Sequence, residues 1–312
     1  MTISPHVGQG LDGTVARICQ YITSPVPVVP ITRIENFVFN TELLKHKEAV
    51  IVDYVEYGWD WYFPRTGTHF FGKNTGEFFP HFQGEEWKKF DDWVAGLDRV
   101  VYFKRELLKS DADIYPHVFP IDYPCWIAPI PPQTKEEFKS RPLSVFNFWG
   151  RSHEDRLVLH GNIWKAASEH GFSVCDNIYF LQQFLAEEQG KKWATFWMPH
   201  YSRIDIAQLL QISAISKISI AMPGAGLKTF RQSEVSVNSV MMMVDDDMEY
   251  AYDWVDGVNC IMCHEITPDR IMDALERTDL YDIYLRGLET ADKYRIANYV
   301  RNYIEPTIQA NL

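Results

Sequence analysis

Short apolar runs alternate with longer stretches in which apolar residues recur at helical spacing. Residues 49–53 (Ala-Val-Ile-Val-Asp) and 99–103 (Arg-Val-Val-Tyr-Phe) are brief, β-branched and followed by polar residues. That pattern predicts strands buried on both faces of a parallel sheet. Between them, residues 84–97 place Trp87, Phe90, Trp93 and Val94 on one side of a predicted helix. The second half is more regular. It reads as a strand at 144–149, a helix over 153–170 capped by Gly171, a strand at 194–197, and a helix over 202–215. A strand at 217–222, a helix from about Thr229, and strands at 240–244 and around Cys260 follow. The last elements are a helix opening at Thr267-Pro268 and terminal helices over 283–304. Strands and helices alternating at this length predict an α/β chain with parallel sheets wrapped on both faces.

The stretch 116–132 is rich in proline and predicts a loop with little regular structure. Residues 130–142 continue it with prolines and charges that break both periodicities, so they form the expected linker. The boundary falls there, giving an N-terminal domain over 1–141 and a C-terminal domain over 142–312.

Composition narrows the function. With 312 residues, 46% of them apolar, the chain can bury two sizeable cores. A net charge of -12 does not favour a nucleic-acid partner, because phosphate binding relies on clustered Lys and Arg. No window has the length of a membrane span, and residues 1–12 lack the pattern of a signal peptide. Five scattered cysteines form no disulfide framework, so the expectation is a reduced, cytoplasmic protein. Cys260-Ile-Met-Cys263-His264 has the spacing of a haem-attachment motif. With no second cysteine cluster beside it and an apolar strand around it, small core cysteines are the expectation, and no metal is expected.

The chemistry concentrates in residues 218–234. An apolar run to Met222 stops at Pro223-Gly224-Ala225-Gly226, and Lys228, Thr229, Arg231 and Glu234 follow. Read physically, this is a strand, a glycine turn and a helix start. Glycines allow a ligand close to the backbone, and free N–H groups at a helix start favour an anion such as a diphosphate. Lys228 and Arg231 would add cationic donors, and Glu234 could accept from ribose hydroxyls. The plainer alternative for each charge is a solvated side chain at a helix end.

The ordered set Ser216-Lys217, Pro223-Gly224-Ala225-Gly226, Thr229-Phe230-Arg231, Glu234, 240–244 and Asp256-Gly257-Val258-Asn259 resembles the C-terminal domain of GT-B glycosyltransferases. The nearest likeness is to the exostosin-like and family-1-like members of bacteria and phages. It covers roughly 143–305. One departure is Ser236-Val-Asn-Ser239, where such proteins commonly have Ala-x-Gly; Asn tolerates the backbone that glycine would adopt.

The resemblance implies two Rossmann-like domains facing a cleft, with a nucleotide-sugar donor, such as a UDP-sugar, on the second. It implies donor contacts from Arg151, Gly224, Gly226, Lys228, Thr229, Arg231, Glu234 and Asn259. No cofactor beyond that co-substrate is expected, and no metal, since basic side chains would offset the leaving diphosphate. Arg231 therefore joins the catalytic group. The terminal helix is expected to cross back to the first domain. A base for transfer to a hydroxyl would come from the first domain, where Asp53, Glu56, His69 and His81 are open alternatives. Asp60, flanked by Trp59 and Trp61, is the one advanced, because apolar surroundings raise a carboxylate pKa.

The reaction expected is transfer of a sugar to an acceptor hydroxyl. The acceptor expected is a glycan or lipid-linked sugar, with a hydroxymethylated DNA base left open. The rival reading is a nucleotide- or glycan-binding module of the same fold without turnover.

Overall fold

The computed structural model describes residues 11–31, 38–54, 85–107, 109–112, 117–147, 155–176, 206–222, 228–244 and 247–312. The expected strand at 194–197 lies outside them.

The first half is built on a four-stranded parallel sheet in the order β1-β2-β3-β4. Its strands are β1 (Val28–Ile31), β2 (Glu48–Asp53), β3 (Arg99–Lys104) and β4 (Val118–Pro120). Helices α1 (Leu11–Tyr21) and α2 (Glu85–Ala95) accompany it, with a short α3 (Lys109–Ala112) after β3. Proline explains why the outer strands escaped the periodicity reading. Pro30 and Pro120 cannot donate to a ladder, and both sit on edge strands, where that loss is tolerated.

Strand β2 shows how the sheet is covered on both faces. Val50 and Val52 enter one core cluster with α1 residues Val15 and Ile18. Ala49 and Ile51 enter another with Phe90 and Trp93 of α2. Each fully buried aliphatic or aromatic side chain contributes roughly 1.5–3 kcal/mol of transfer free energy.

The expected linker is not structureless. Within it, α4 (Lys135–Lys139) starts at a capping box in which Thr134 Oγ1 accepts from Glu137 N–H while Glu137 accepts from Thr134 N–H at 2.7 Å. Phe138 from this helix stacks on Tyr284 at 4.9 Å between ring centroids.

The second half holds a five-stranded parallel sheet in the order β6-β5-β7-β8-β9. These are β5 (Leu143–Asn147), β6 (Val174–Asp176), β7 (Ser216–Ala221), β8 (Val240–Val244) and β9 (Ile261–Cys263). The intervening helices are α5 (Asp155–His170), α6 (Ile206–Ala214), α7 (Phe230–Val235), α8 (Pro268–Leu275) and α9 (Leu280–Lys293). Gly171 ends α5 at φ 71°, and Thr267 caps α8 with proline in its first turn, as the sequence predicts. Strand β8 alternates like β2: Met241 and Met243 face one cluster, Val240 and Met242 another.

After α9 come α10 (Ile296–Tyr299), one π-helical turn (Val300–Ile304) and α11 (Glu305–Asn311). Pro306 lacks an N–H and its ring crowds the carbonyl four residues back, which accounts for the widened turn just before it. These elements pack on the first half. Tyr303 OH donates to Pro120 O at 2.8 Å, its ring meets Phe103, and Glu305 accepts from Thr23 N–H at 3.1 Å.

Candidate functional site

The two sheets bring buried charge to the junction between the halves. At the carboxyl end of β2, Asp53 is fully enclosed and accepts from Tyr102 OH at 2.7 Å and from Lys104 Nζ at 3.3 Å. Burial pulls the Lys104 ammonium below its ordinary range, with Asp53 pushing back. Next along the chain, Arg105 bonds Glu106 at 2.9 Å and Tyr123 OH, and lies over the Tyr123 ring. These residues follow from strand ends that the sequence marks. They are interior, not edge, side chains.

A second cluster centres on Asp122, in the loop after β4. Its carboxylate forms an ion pair with Lys228 at 2.6 Å and accepts from Ala251 N–H at 2.8 Å and Tyr294 OH at 3.1 Å. Its backbone N–H donates to Tyr299 OH at 2.9 Å, and its carbonyl accepts from Tyr54 OH at 2.6 Å. Burial, with Asp122's charge adding to it, keeps the phenols of Tyr54, Tyr294 and Tyr299 well above their ordinary range, so they remain donors.

Lys228 was expected to meet a diphosphate. In the structure its ammonium is enclosed: besides Asp122 it donates to Glu249 O and lies 4.5 Å from the centre of the Tyr250 ring. Its three donors are directed into the protein, which is a packing role and not the one expected from sequence.

Thr229 opens α7 from an extended conformation, and Gln232 accepts its N–H at 3.2 Å. On the more open side of α7, Arg231 and Glu234 pair at 3.2 Å, retaining 19% and 27% of their side-chain exposure. Burial draws the Arg231 guanidinium below its usual range and Glu234 opposes this. The Cys125 thiol is raised mainly by burial, with the charge of Glu234 a minor contribution.

Asn259 also departs from expectation. Its amide donates to Asp253 O and Thr290 Oγ1, both at 2.9 Å, and accepts from Val255 N–H at 2.7 Å. The side chain is committed to holding its own loop, the plainer role for an Asp-Gly turn. Gly257 in that turn has φ 69°, which demands glycine. Asp60, Arg151, Gly224 and Gly226, with Glu56, His69 and His81, lie outside the described residues. Cys260 and Cys263 are buried in core clusters, and burial pushes the Cys263 thiol up to about 12. Among the described residues no group of His, Cys, Asp or Glu could hold a metal ion. None of their helices is long and apolar enough to cross a membrane.

Asp122, with its tyrosines, and the buried Asn147–His160 pair (3.0 Å) went unread in the sequence. The one local signal was an acid set between apolar residues in Ile121-Asp122-Tyr123, which a two-sided burial reading would have caught.

No protein-family model and no curated protein matches the chain. Solved structures do. The chain is similar to a GtfA/B complex chain at TM-score 0.52 and 11% identity, covering 86% of this chain and 54% of that one. It also aligns with the apo structure of OtsA at TM-score 0.46 and 11% identity, covering 95% and 76%. A trehalose-6-phosphate structure from E. coli bound with UDP-2-fluoro glucose aligns at TM-score 0.39 and 15% identity, over 62% and 52%. The chain thus spans about half the length of the GtfA/B chain and of the chain bound with UDP-2-fluoro glucose. These neighbours are GT-B glycosyltransferases, and the chain has their α/β fold with parallel sheets in two halves.

Proposed function

We propose that the chain is a glycosyltransferase that moves a sugar from a nucleoside-diphosphate donor, such as a UDP-sugar, to an acceptor hydroxyl. The observation that carries this reading is the Arg231–Glu234 pair, left part-open on the first helix after β7 within a GT-B fold. Ligands of open α/β sheets gather at the carboxyl ends of the strands. In this reading Glu234 accepts from the ribose hydroxyls and Arg231 offsets charge on the leaving diphosphate. Both are roles for side chains with residual exposure, unlike Lys228. Asp60, Arg151, Gly224 and Gly226 remain proposed partners on sequence grounds, as does the division into domains at 1–141 and 142–312. A glycan or lipid-linked sugar is the acceptor proposed for a chain of net charge -12.

Thermal unfolding with a panel of nucleoside diphosphates and their sugars tests this. A ligand at ~100 times its Kd adds about 2.7 kcal/mol of stability. One base should raise the melting temperature of the wild type and leave Glu234→Ala unmoved. No shift with any nucleotide would sink the reading. A shift without turnover or donor hydrolysis would leave the binding module.

A further inference from the structure

Lys228 and Asp122 belong to opposite halves, 106 positions apart in sequence, yet form one enclosed ion pair with side-chain exposures of 1% and 8%. Nothing about folding one half alone calls for it. Every polar group of Asp122 is used, and its partners come from five places: the end of β2 (Tyr54), the start of α7 (Lys228), the 249–251 loop, the residue after α9 (Tyr294) and α10 (Tyr299). The hold on α7 is repeated one turn later, where Gln232 Nε2 donates to Tyr250 OH at 2.9 Å; the same Tyr250 ring lies under the Lys228 ammonium. Gln232 and Val235 are buried, whereas Arg231 and Glu234 occupy the remaining, part-open side.

We propose that Asp122 and Lys228 are positioning residues for the donor site: their buried pair fixes the rotation of α7 against the first half and so sets where Arg231 and Glu234 present their charges. This rests on the transferase reading above. The pair touches no ligand in this scheme. It acts through α7, so a residue of the first half governs nucleotide affinity on the second.

The test titrates UDP, ADP and GDP calorimetrically into the wild type, the Asp122→Asn/Lys228→Met double variant and Tyr250→Phe. The double variant leaves no orphaned buried charge, which is why it is preferred to either single change. Tyr250→Phe keeps the ring under Lys228 and removes the bond from Gln232, so it keeps the test alive if the double variant fails to fold. We expect the double variant to melt cooperatively while its Kd for the nucleotide bound by the wild type rises at least tenfold, and Tyr250→Phe to raise it about threefold. Glu234→Ala should then cost less affinity in the double background than in the wild type, since its carboxylate is already misplaced. Folded variants that bind within error of the wild type would overturn this proposal and leave the transferase reading intact. A wild type that binds none of the three removes both.

Discussion

A buried carboxylate is tolerated at Asp122 because a cation, an amide N–H and phenols surround it; isolated, it would cost several kcal/mol. Thiols follow the opposite logic, since burial favours their neutral form. Cys19 and Cys263 both rise from an ordinary 9.0 to about 12, with burial the largest cause in each. The sign follows directly. A group whose folded pKa is raised contributes stability that is whole below its unfolded pKa and fades as pH climbs through the folded one. Stability should therefore fall between about pH 9 and 12, by up to about 1.4 kcal/mol per pH unit for each thiol. Chaotrope titrations across that range should show a shallower alkaline limb for Cys19→Ala/Cys263→Ala than for the wild type. An unchanged slope would assign the limb to the buried tyrosines, whose phenols are raised as well. At this scale the sequence was least informative. It showed Lys228 beside a glycine turn, but local order carries no trace of the carboxylate arriving from Asp122. Asn259 misled in part for the same reason: besides its local bonds to Asp253 and Val255, it donates to Thr290, a helix away.

Elements were far more legible, because each is written in contiguous residues. The β2 and β3 runs, the α2 stripe, the Gly171 cap and the Thr267-Pro268 start all emerged from spacing and caps. Helix α1 and strand β6 went unread, with no proline in either, but proline accounts for three other misses. It hid β1 and β4, whose edge positions excuse it, and it drew attention away from the Thr134–Glu137 capping box of α4. Helix α9 supplies a case where local propensity and packing point in opposite directions. Alanine is favoured over glycine inside a helix by roughly 1 kcal/mol. At Gly287, however, a Cβ would lie 2.9 Å from the carbonyl oxygen of Asn259, a backbone atom that cannot swing aside. That carbonyl belongs to the loop held by the Asn259 amide. Gly287→Ala should consequently destabilise by more than about 1 kcal/mol, reversing the intrinsic preference, as read from the denaturation midpoint at unchanged m-value. Stabilisation would mean that the α9 contact yields easily.

For the molecule as a whole, the question is whether two sheets make two folding units. The pattern of strands foretold both sheets, yet it could not show how one core runs between them. The cluster that takes Val50 and Val52 from β2 and Val101 and Phe103 from β3 also takes Ala221, Val235, Met241 and Met243 from the second half. It closes over Tyr299, Val300, Ile304 and Ile308 from the C-terminal helices. Backbone bonds cross the same junction, from Glu249 N–H to Leu107 O at 2.8 Å and from Cys125 N–H to Tyr294 O at 2.8 Å. Separating the halves would expose this shared cluster on both sides, leaving each half only the cluster on the other face of its own sheet. Chains above about 150 residues commonly unfold in steps. Here a single transition is expected, with far- and near-ultraviolet circular dichroism superimposing through the melt. Tyr299→Phe, which deletes the hydroxyl that accepts from Asp122 N–H, should lower that one transition by about 1–3 kcal/mol without splitting it, since a buried donor is left unmet. Two resolved transitions would instead assign the junction a weak, late-forming role and make the first half separable from the sheet that bears Arg231 and Glu234. The distinction matters for the proposed donor site, because a junction that unfolds together with both halves is one that would hold α7 still beside a bound nucleotide.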